Sequence, residues 1–245
     1  MCEHFIARAA EPFRLDELWP FAERLERYGI AGFGWGANWL LPGGGLATHR
    51  STAAFAADPE QDRIGSIETT SVLVHLRRPS RLSTRQPPDA QPFDDPAGRF
   101  AFSHNGDLRD YRDARERYRQ QGRIFGRADS EVGERWLEDA WSGTESAADT
   151  LTTLHAVFGG QANLAVVTRD GAAYHYAGNG ENPVFTFRLG RVGIVSTALY
   201  SIDRSLFDYA ARGATNRALM RQQSAIVLDE TGSPVRSREK RPVQA

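Results

Sequence analysis

The stretch Met1-Cys2-Glu3-His4-Phe5 contains the residue on which the fold prediction depends. Cys2 is the only cysteine among 245 residues and directly follows the initiator methionine. A free cysteine is usually buried, whereas chain starts tend to be exposed. Removal of Met1 would give Cys2 a free α-amine with an unperturbed pKa near ~7.7–8.0. A thiol nucleophile and its base would then share one residue; the alternative is a chance cysteine in a mobile chain start.

The composition is that of a globular protein with a sizeable core. The chain is 40% hydrophobic and 25% charged, with a net charge of −1, so nothing attracts it as a whole to nucleic acid or anionic membranes. No stretch approaches the ~20 apolar residues of a membrane span, and no secretory apolar segment is present. A single cysteine excludes an internal disulfide and a multi-cysteine metal cluster. We therefore expect a cytoplasmic protein without nucleic-acid or membrane partners.

The hydrophobic pattern predicts helices grouped in the middle of the chain, with strands on both sides. Helical spacing and cap residues predict helices at 15–28, at 111–118, from 129 onward, at 147–158 and at 201–211. Short β-prone runs predict strands at 30–41, 70–76, 162–168, 172–177, 184–187, 192–197 and 223–229. This order favours a layered α+β fold over an alternating parallel sheet. We expect one domain over residues 1–245, with 236–245 as a flexible, solvated tail.

Three further local patterns accompany Cys2. His75-Leu76-Arg77-Arg78-Pro79-Ser80 ends a predicted strand, and Phe102-Ser103-His104-Asn105-Gly106-Asp107-Leu108 reads as a strand leading into a turn. Asp129-Ser130-Glu131 marks a helix start. Each pattern has an ordinary structural interpretation, respectively a solvated strand-end charge, a turn whose Asn and Gly accept positive φ, and a helix cap.

Taken together in this order and spacing, the four patterns resemble the class II glutamine amidotransferase domain of the N-terminal nucleophile hydrolases. That family begins with a processed cysteine, followed by a His-x-Arg segment, an Asn-Gly turn within Phe-x-His-Asn-Gly, and Asp-Ser-Glu. The resemblance covers nearly the whole chain, including Ile194-Val195-Ser196-Thr197. It is closest to a stand-alone member, because no synthetase, isomerase or phosphoribosyltransferase domain follows. It implies a four-layer αββα sandwich with two antiparallel sheets.

The resemblance also implies the catalytic groups. Cys2 would be the nucleophile and its α-amine the general base. The side-chain amide of Asn105 and the backbone N–H of Gly106 would form the oxyanion hole. Donors aimed at a developing oxyanion suit this task, and losing one costs on the order of 10²–10³ in rate.

By the same resemblance, three residues hold the amino-acid head of a glutamine or γ-glutamyl substrate. Arg77, assisted by Ser80, would bind the α-carboxylate, and Asp129 would bind the α-ammonium. The planar guanidinium fork matches a carboxylate with two parallel hydrogen bonds, which lysine cannot reproduce. Such a clamp fits a free amino-acid head and not an internal peptide residue.

Two positions depart from the family pattern. Many members have an aromatic residue where this chain has Arg78, and they often carry Asn-x-His-Pro-Phe where it has Asp89-Ala90-Gln91-Pro92-Phe93. The histidine of that motif is therefore replaced by Gln91. These departures affect the loop around the glutamine site and which γ-glutamyl compound fits, but not the nucleophile or the oxyanion hole.

The sequence thus predicts an amidohydrolase in which Cys2 attacks the γ-carboxamide, ammonia or an amine departs, and water cleaves a γ-glutamyl thioester. In one variant, ammonia passes to a separate synthase partner; in the other, a γ-glutamyl amide or peptide bond is simply hydrolysed. The alternative from another class is a catalytically silent fold that acts as a binding or assembly protein. No cofactor is expected, and no metal, because the six histidines lack ligand-like spacing.

Overall fold

The computed structural model describes residues 2–29, 31–143, 146–197 and 204–236. The α-helices in these ranges are α1 (Trp19–Gly29), α2 (Glu60–Gly65), α3 (Arg112–Gln120), α4 (Asp129–Ala140), α5 (Ala147–Phe158) and α6 (Arg204–Ala210). Short 3-10 helices cover Leu15–Glu17, Phe55–Ala57, Leu82–Thr84 and Pro87–Asp89. The strands are β1 (Glu3–Arg14), β2 (Trp35–Leu40), β3 (Leu46–Ser51), β4 (Glu68–Leu76), β5 (Phe93–Asp94), β6 (Phe100–Leu108), β7 (Gly160–Thr168), β8 (Ala173–Gly178), β9 (Val184–Leu189), β10 (Val192–Thr197), β11 (Thr215–Leu219), β12 (Ser224–Leu228) and β13 (Pro234–Arg236).

The strands form two sheets. One has seven strands in the order β11-β9-β10-β1-β4-β2-β3, and the other has six in the order β13-β12-β8-β7-β6-β5. Every pairing between neighbouring strands is antiparallel. The predicted α+β class with two antiparallel sheets is therefore confirmed.

Three apolar clusters arrange these elements in layers. One joins α1 and α6 to the outer face of the seven-stranded sheet, and a second joins α4 and α5 to the outer face of the six-stranded sheet. The third lies between the sheets and includes Ile6 and Leu73 from one sheet and Val167 from the other. Successive strand side chains point to opposite faces, so Phe5 packs towards the helices while Ile6 meets the second sheet. The result is the expected αββα sandwich.

The helix predicted at 15–28 is present as a 3-10 helix followed by α1. The α-helix begins at Trp19, which places Pro20 in the first turn, where a proline costs no helical hydrogen bond. Phe21, Ala22 and Leu25 lie at helical spacing and are buried. These apolar positions hold α1 on the sheet.

Strand β1 was not predicted, and it changes the interpretation of Cys2. This strand starts at Glu3 and pairs on one side with β4 and on the other with β10. Its first residues are buried because a central strand is covered on both faces. Cys2 is consequently the residue that enters a central strand, and the mobile-start interpretation is wrong.

The predicted turn at His104-Asn105-Gly106 is also wrong. These residues lie inside β6, where Asn105 pairs with Asn163 and Gly106 with Ala162. Gly106 has φ of 130°, and a Cβ there would overlap the carbonyl oxygen of Gln161. The glycine thus serves close backbone approach within a strand, where a turn was expected.

Two predicted segments lie partly outside the described residues. The helix predicted at 201–211 is described from Arg204 as α6. Of the predicted tail at 236–245, only Arg236 is described; it ends β13 and pairs with Ile226. Among the helices that the structure describes, none combines the length and apolar character needed to span a bilayer.

Candidate active site

A surface cavity of about 560 Å³ brings the four sequence patterns together. Its walls include Cys2, Arg77, Ser80, Gly106 and Asp129. Pockets of ~300–1,000 Å³ are typical of small-molecule sites. Residues separated by more than a hundred positions in the chain therefore meet at one opening of suitable size.

The Cys2 thiol is half-buried at the cavity wall. Its Sγ accepts a hydrogen bond from the backbone N–H of Arg78 at 3.3 Å and lies 3.6 Å from the Arg78 carbonyl oxygen. Burial raises the pKa of the Cys2 thiol, opposed in part by the Arg77 cation and the Arg78 N–H. The thiol is therefore neutral near pH 7 and needs a base to become a nucleophile.

Glu3 and Thr197 fix the chain as it leaves Cys2. The Thr197 hydroxyl donates to a Glu3 carboxylate oxygen and accepts the backbone N–H of His4 at 3.0 Å. Asn182 Nδ2 donates to the same Glu3 oxygen at 3.2 Å. Burial raises the pKa of Glu3 to about 7. This network ties the start of β1 to the end of β10 and sets the position of the nucleophile.

The Asn105 side chain points at Cys2. Its Nδ2 donates to the Cys2 carbonyl oxygen, and its Oδ1 accepts from Asn163 Nδ2 at 3.4 Å. Asn163 is held in turn, because its Oδ1 accepts the backbone N–H groups of Gly178 and Asn179 at 3.2 and 3.1 Å. The Asn105 amide is thus held against the backbone of Cys2 by a buried second asparagine across the strand pair.

Asn163 was missed by the sequence analysis. It lies in the strand run predicted at 162–168, where its polar side chain among apolar neighbours was the available signal. A buried asparagine in a strand needs several partners, and cross-strand pairing with Asn105 supplies one of them. That pairing depends on sheet register, which local sequence does not specify.

Arg77 lies almost wholly inside the protein and still lines the cavity. Its side chain is 4% exposed, Nη2 donates to the Thr84 carbonyl at 2.6 Å, and within the described residues Nε has no partner. Its backbone pairs with Gly34 and Phe33 at 2.8 and 3.1 Å. A guanidinium has five N–H donors, so this anchored side chain retains donors for a ligand carboxylate.

Asp129 joins the end of β6 to the start of α4. Its Oδ2 accepts the Leu108 N–H at 2.7 Å and its Oδ1 accepts the Ser130 N–H at 3.0 Å. The residue before it, Ala128, is the N-cap of α4, so Asp129 is not the helix cap that its ordinary interpretation requires. A carboxylate accepts about four hydrogen bonds, so Asp129, which lines the cavity, retains acceptor capacity.

Gln91, which departs from the family pattern, has a defined structural role. Its Oε1 accepts the His104 N–H at 2.7 Å, and its Nε2 donates to Ser130 Oγ at 3.1 Å. Ser130 Oγ also lies 2.9 Å from His104 Nδ1. Gln91, which also lines the cavity, therefore connects β6 to the first turn of α4, between the segments that carry Asn105 and Asp129.

Four histidines are buried together near the site: His4, His75, His104 and His175. The Nε2 atoms of His4 and His175 lie 3.0 Å apart, and His4 Nδ1 lies 2.9 Å from Ser103 Oγ. Burial lowers the pKa of each of the four, for His175 to about 3. No cluster of three metal-ligating side chains occurs among the described residues. The four rings are thus neutral at pH 7.

We expect this burial to make the protein acid-labile. An unfolded histidine takes up its proton near pH 6.5 and folded His175 only near 3, so stability present above pH 6.5 is lost as the pH falls towards 3. For His175 the loss is about 1.4 kcal/mol per pH unit within this window. Glu3, whose pKa is raised, acts in the opposite sense between pH 7 and 4.5. Denaturant titrations of wild type and His175→Asn between pH 7 and 4 separate the two contributions.

The His175→Asn variant lacks this linkage, so its free energy of unfolding should fall less steeply with acid than that of the wild type. Parallel pH profiles for the two proteins would contradict the prediction.

The fold matches solved class II glutamine amidotransferases. One is the glutamine phosphoribosylpyrophosphate amidotransferase from B. subtilis complexed with ADP and GMP (TM-score 0.73, 17% identity, 98% of this chain and 50% of that chain). A second, described as the allosteric regulatory enzyme of purine biosynthesis, gives a TM-score of 0.72 at 16% identity over 98% of this chain and 50% of that one. The chain thus spans about half the length of both.

A third match is a glutamine aminotransferase class-II domain protein from Silicibacter pomeroyi. It gives a TM-score of 0.59 at 14% identity and covers 96% of this chain and 99% of that one. No family profile matches the sequence, and no curated protein sequence matches it either. The three structural matches show that the chain has the class II glutamine amidotransferase fold of the N-terminal nucleophile type, as its sequence patterns predicted.

Proposed function

We propose that the protein is a cysteine-dependent glutamine amidotransferase or γ-glutamyl amidohydrolase that uses Cys2 as an N-terminal nucleophile. The observation that carries the proposal is the Asn105 amide, aimed at Cys2 beside a cavity that also presents Arg77 and Asp129. Two solved proteins with this fold, a glutamine phosphoribosylpyrophosphate amidotransferase and a glutamine aminotransferase class-II domain protein, support the same chemistry. Glutamine or another γ-glutamyl compound is the proposed substrate.

The catalytic cycle begins with removal of Met1. The α-amine of Cys2 takes the thiol proton, and Sγ attacks the γ-carbonyl carbon of the substrate. The resulting oxyanion accepts hydrogen bonds from Asn105 Nδ2 and the Gly106 N–H. The protonated α-amine then gives its proton to the leaving nitrogen, which departs as ammonia or an amine and leaves a γ-glutamyl thioester. Water attacks the thioester with the same amine as base, and glutamate is released.

The substrate head is held at two points. Arg77 binds the α-carboxylate with the donors that the protein leaves unused, and Ser80 at the exposed edge of the cavity assists. Asp129 binds the α-ammonium with its spare acceptor capacity. Because both charged groups of the glutamyl head are held, its γ-carbonyl is directed at Cys2. Ammonia released from glutamine passes to a separate synthase, whereas an amine released from another γ-glutamyl amide diffuses away.

We predict that a glutamine-mimicking diazo-ketone labels Cys2 with one equivalent per chain. Labelling requires the thiolate. Only a few per cent of an unperturbed cysteine is ionised at neutral pH, and burial raises the pKa of the Cys2 thiol further, so labelling requires a base that takes the thiol proton. Excess glutamine or γ-glutamyl substrate should slow the reaction by occupying the head-group clamp. Mass spectrometry with and without competitor measures both effects, and labelling that ignores the competitor would indicate a merely exposed thiol.

A further inference from the structure

The active-site cavity carries more positive charge than a zwitterionic amino acid needs. Its walls contain two aspartates, Asp107 and Asp129, against six arginines: Arg77, Arg78, Arg81, Arg109, Arg112 and Arg127. His104 also lines it but is neutral, since burial lowers its pKa. The whole chain has a net charge of −1, so this concentration of arginine is local to the cavity.

Four of the arginines form what we call the arginine rim: Arg81, Arg109, Arg112 and Arg127. They are exposed and line the cavity, and they come from three segments. Arg81 precedes the 3-10 helix at Leu82–Thr84, Arg109 follows β6, Arg112 begins α3, and Arg127 precedes α4. None forms an ion pair with a carboxylate of the described chain. All four line the same opening, and each has a guanidinium that is not paired with a carboxylate of the described residues.

The glutamyl head cannot account for the rim. Its α-carboxylate is assigned to Arg77 and its α-ammonium to Asp129, which leaves the γ-carboxamide without charge. The cavity volume of about 560 Å³ lies in the range of drug-sized ligands, well above the need of one free amino acid. The rim is therefore available to a group beyond the scissile amide, on the amine half of the substrate.

We propose that the arginine rim binds an anionic group, a carboxylate or a phosphate, on the leaving amine of a γ-glutamyl amide. The inference rests on the proposed function and names its substrate class. Guanidinium groups match planar carboxylates and phosphates with paired hydrogen bonds. Several unpaired cations around one opening also raise the local concentration of an anionic substrate. Glutamine, whose leaving group is ammonia, uses only the inner half of the site.

The test compares two probes that differ in one charge, γ-glutamylglycine and its neutral analogue γ-glutamylglycinamide. Calorimetric titration into the full-length Cys2→Ala variant measures binding without turnover. We expect γ-glutamylglycine to bind about tenfold more tightly at low salt, with the difference shrinking as ionic strength rises. An Arg109→Gln/Arg127→Gln double substitution should bring the affinity ratio close to one. Arg212→Gln, which removes an exposed arginine outside the cavity, should leave the ratio unchanged.

The outcomes separate this inference from the proposed function. Equal affinities for the two probes, absence of binding by both, or a ratio that survives the double substitution would each overturn the rim inference. Glutamate release from glutamine by the wild type is measured in parallel. Glutamate release together with equal affinities for the two probes would overturn the rim inference and support the proposed function. Tighter binding of γ-glutamylglycine, without glutamate release from any γ-glutamyl amide, would support the anion site and overturn the proposed function.

Discussion

Replacement of Asn105 by alanine is expected to lower kcat by about 10²–10³-fold with little change in KM. The Asn105 amide points at Cys2, where the oxyanion would form, and that charge exists only along the reaction path. Interactions made only in the transition state change kcat and not substrate binding. Steady-state kinetics of glutamate release measures the effect, with a melting temperature as the folding control.

Asn163→Ala provides a matched comparison for Asn105→Ala. Asn163 acts on Cys2 only through the Asn105 amide that it holds at 3.4 Å, so its loss should lower kcat less than the loss of Asn105. The double variant should fall short of the sum, because the two residues act as one unit. An Asn105→Ala enzyme with the kcat of the wild type would remove Asn105 from the oxyanion hole.

The second large effect is expected at the head-group clamp. Arg77→Lys and Asp129→Asn should each lower kcat/KM by ~30-fold, or about 2 kcal/mol, mainly through KM. Lysine keeps the charge but loses the paired hydrogen bonds, and asparagine keeps the shape but loses the ion pair. This exceeds the ~0.2–1 kcal/mol of an exposed ion pair, since Arg77 is almost wholly buried.

Melting temperatures serve as the control for both clamp variants, because Arg77 and Asp129 also hold backbone groups. If a folded Arg77→Lys or Asp129→Asn enzyme has the kinetics of the wild type, the residue does not bind the substrate head. Arg77 would then be a strand-end charge and Asp129 a residue that only holds a loop.

The fold class was predictable because it depends on patterns that repeat locally. Apolar residues with a period of 3.6 predicted α5 at its observed bounds, and apolar residues with a period of 2 predicted β10 at its observed bounds. The first strand escaped detection because Glu3 and His4 interrupt its apolar pattern, although both are buried. Their burial is possible only through partners distant in the chain, Thr197 and Ser103 among them.

The sequence predicted which residues form the site, but not the contacts that position them. Local motifs named Cys2, Arg77 and Asp129, and the fold brings them to one cavity. The role of Asn163 depends on strand register, and that of Gln91 on a contact between the loop before β5 and the first turn of α4. Both are long-range properties. The assigned roles of the motif residues remain predictions for the experiments above.

The central claim is that Cys2 acts with its own α-amine, and intact-mass spectrometry of the purified protein tests it most directly. A base at that position requires a free Cys2 amine, since an amide nitrogen has no basic lone pair. We expect the mass of the chain Cys2–Ala245, with Met1 removed. A mass that corresponds throughout to Met1–Ala245 would contradict the catalytic account and favour a silent fold that acts in binding or assembly.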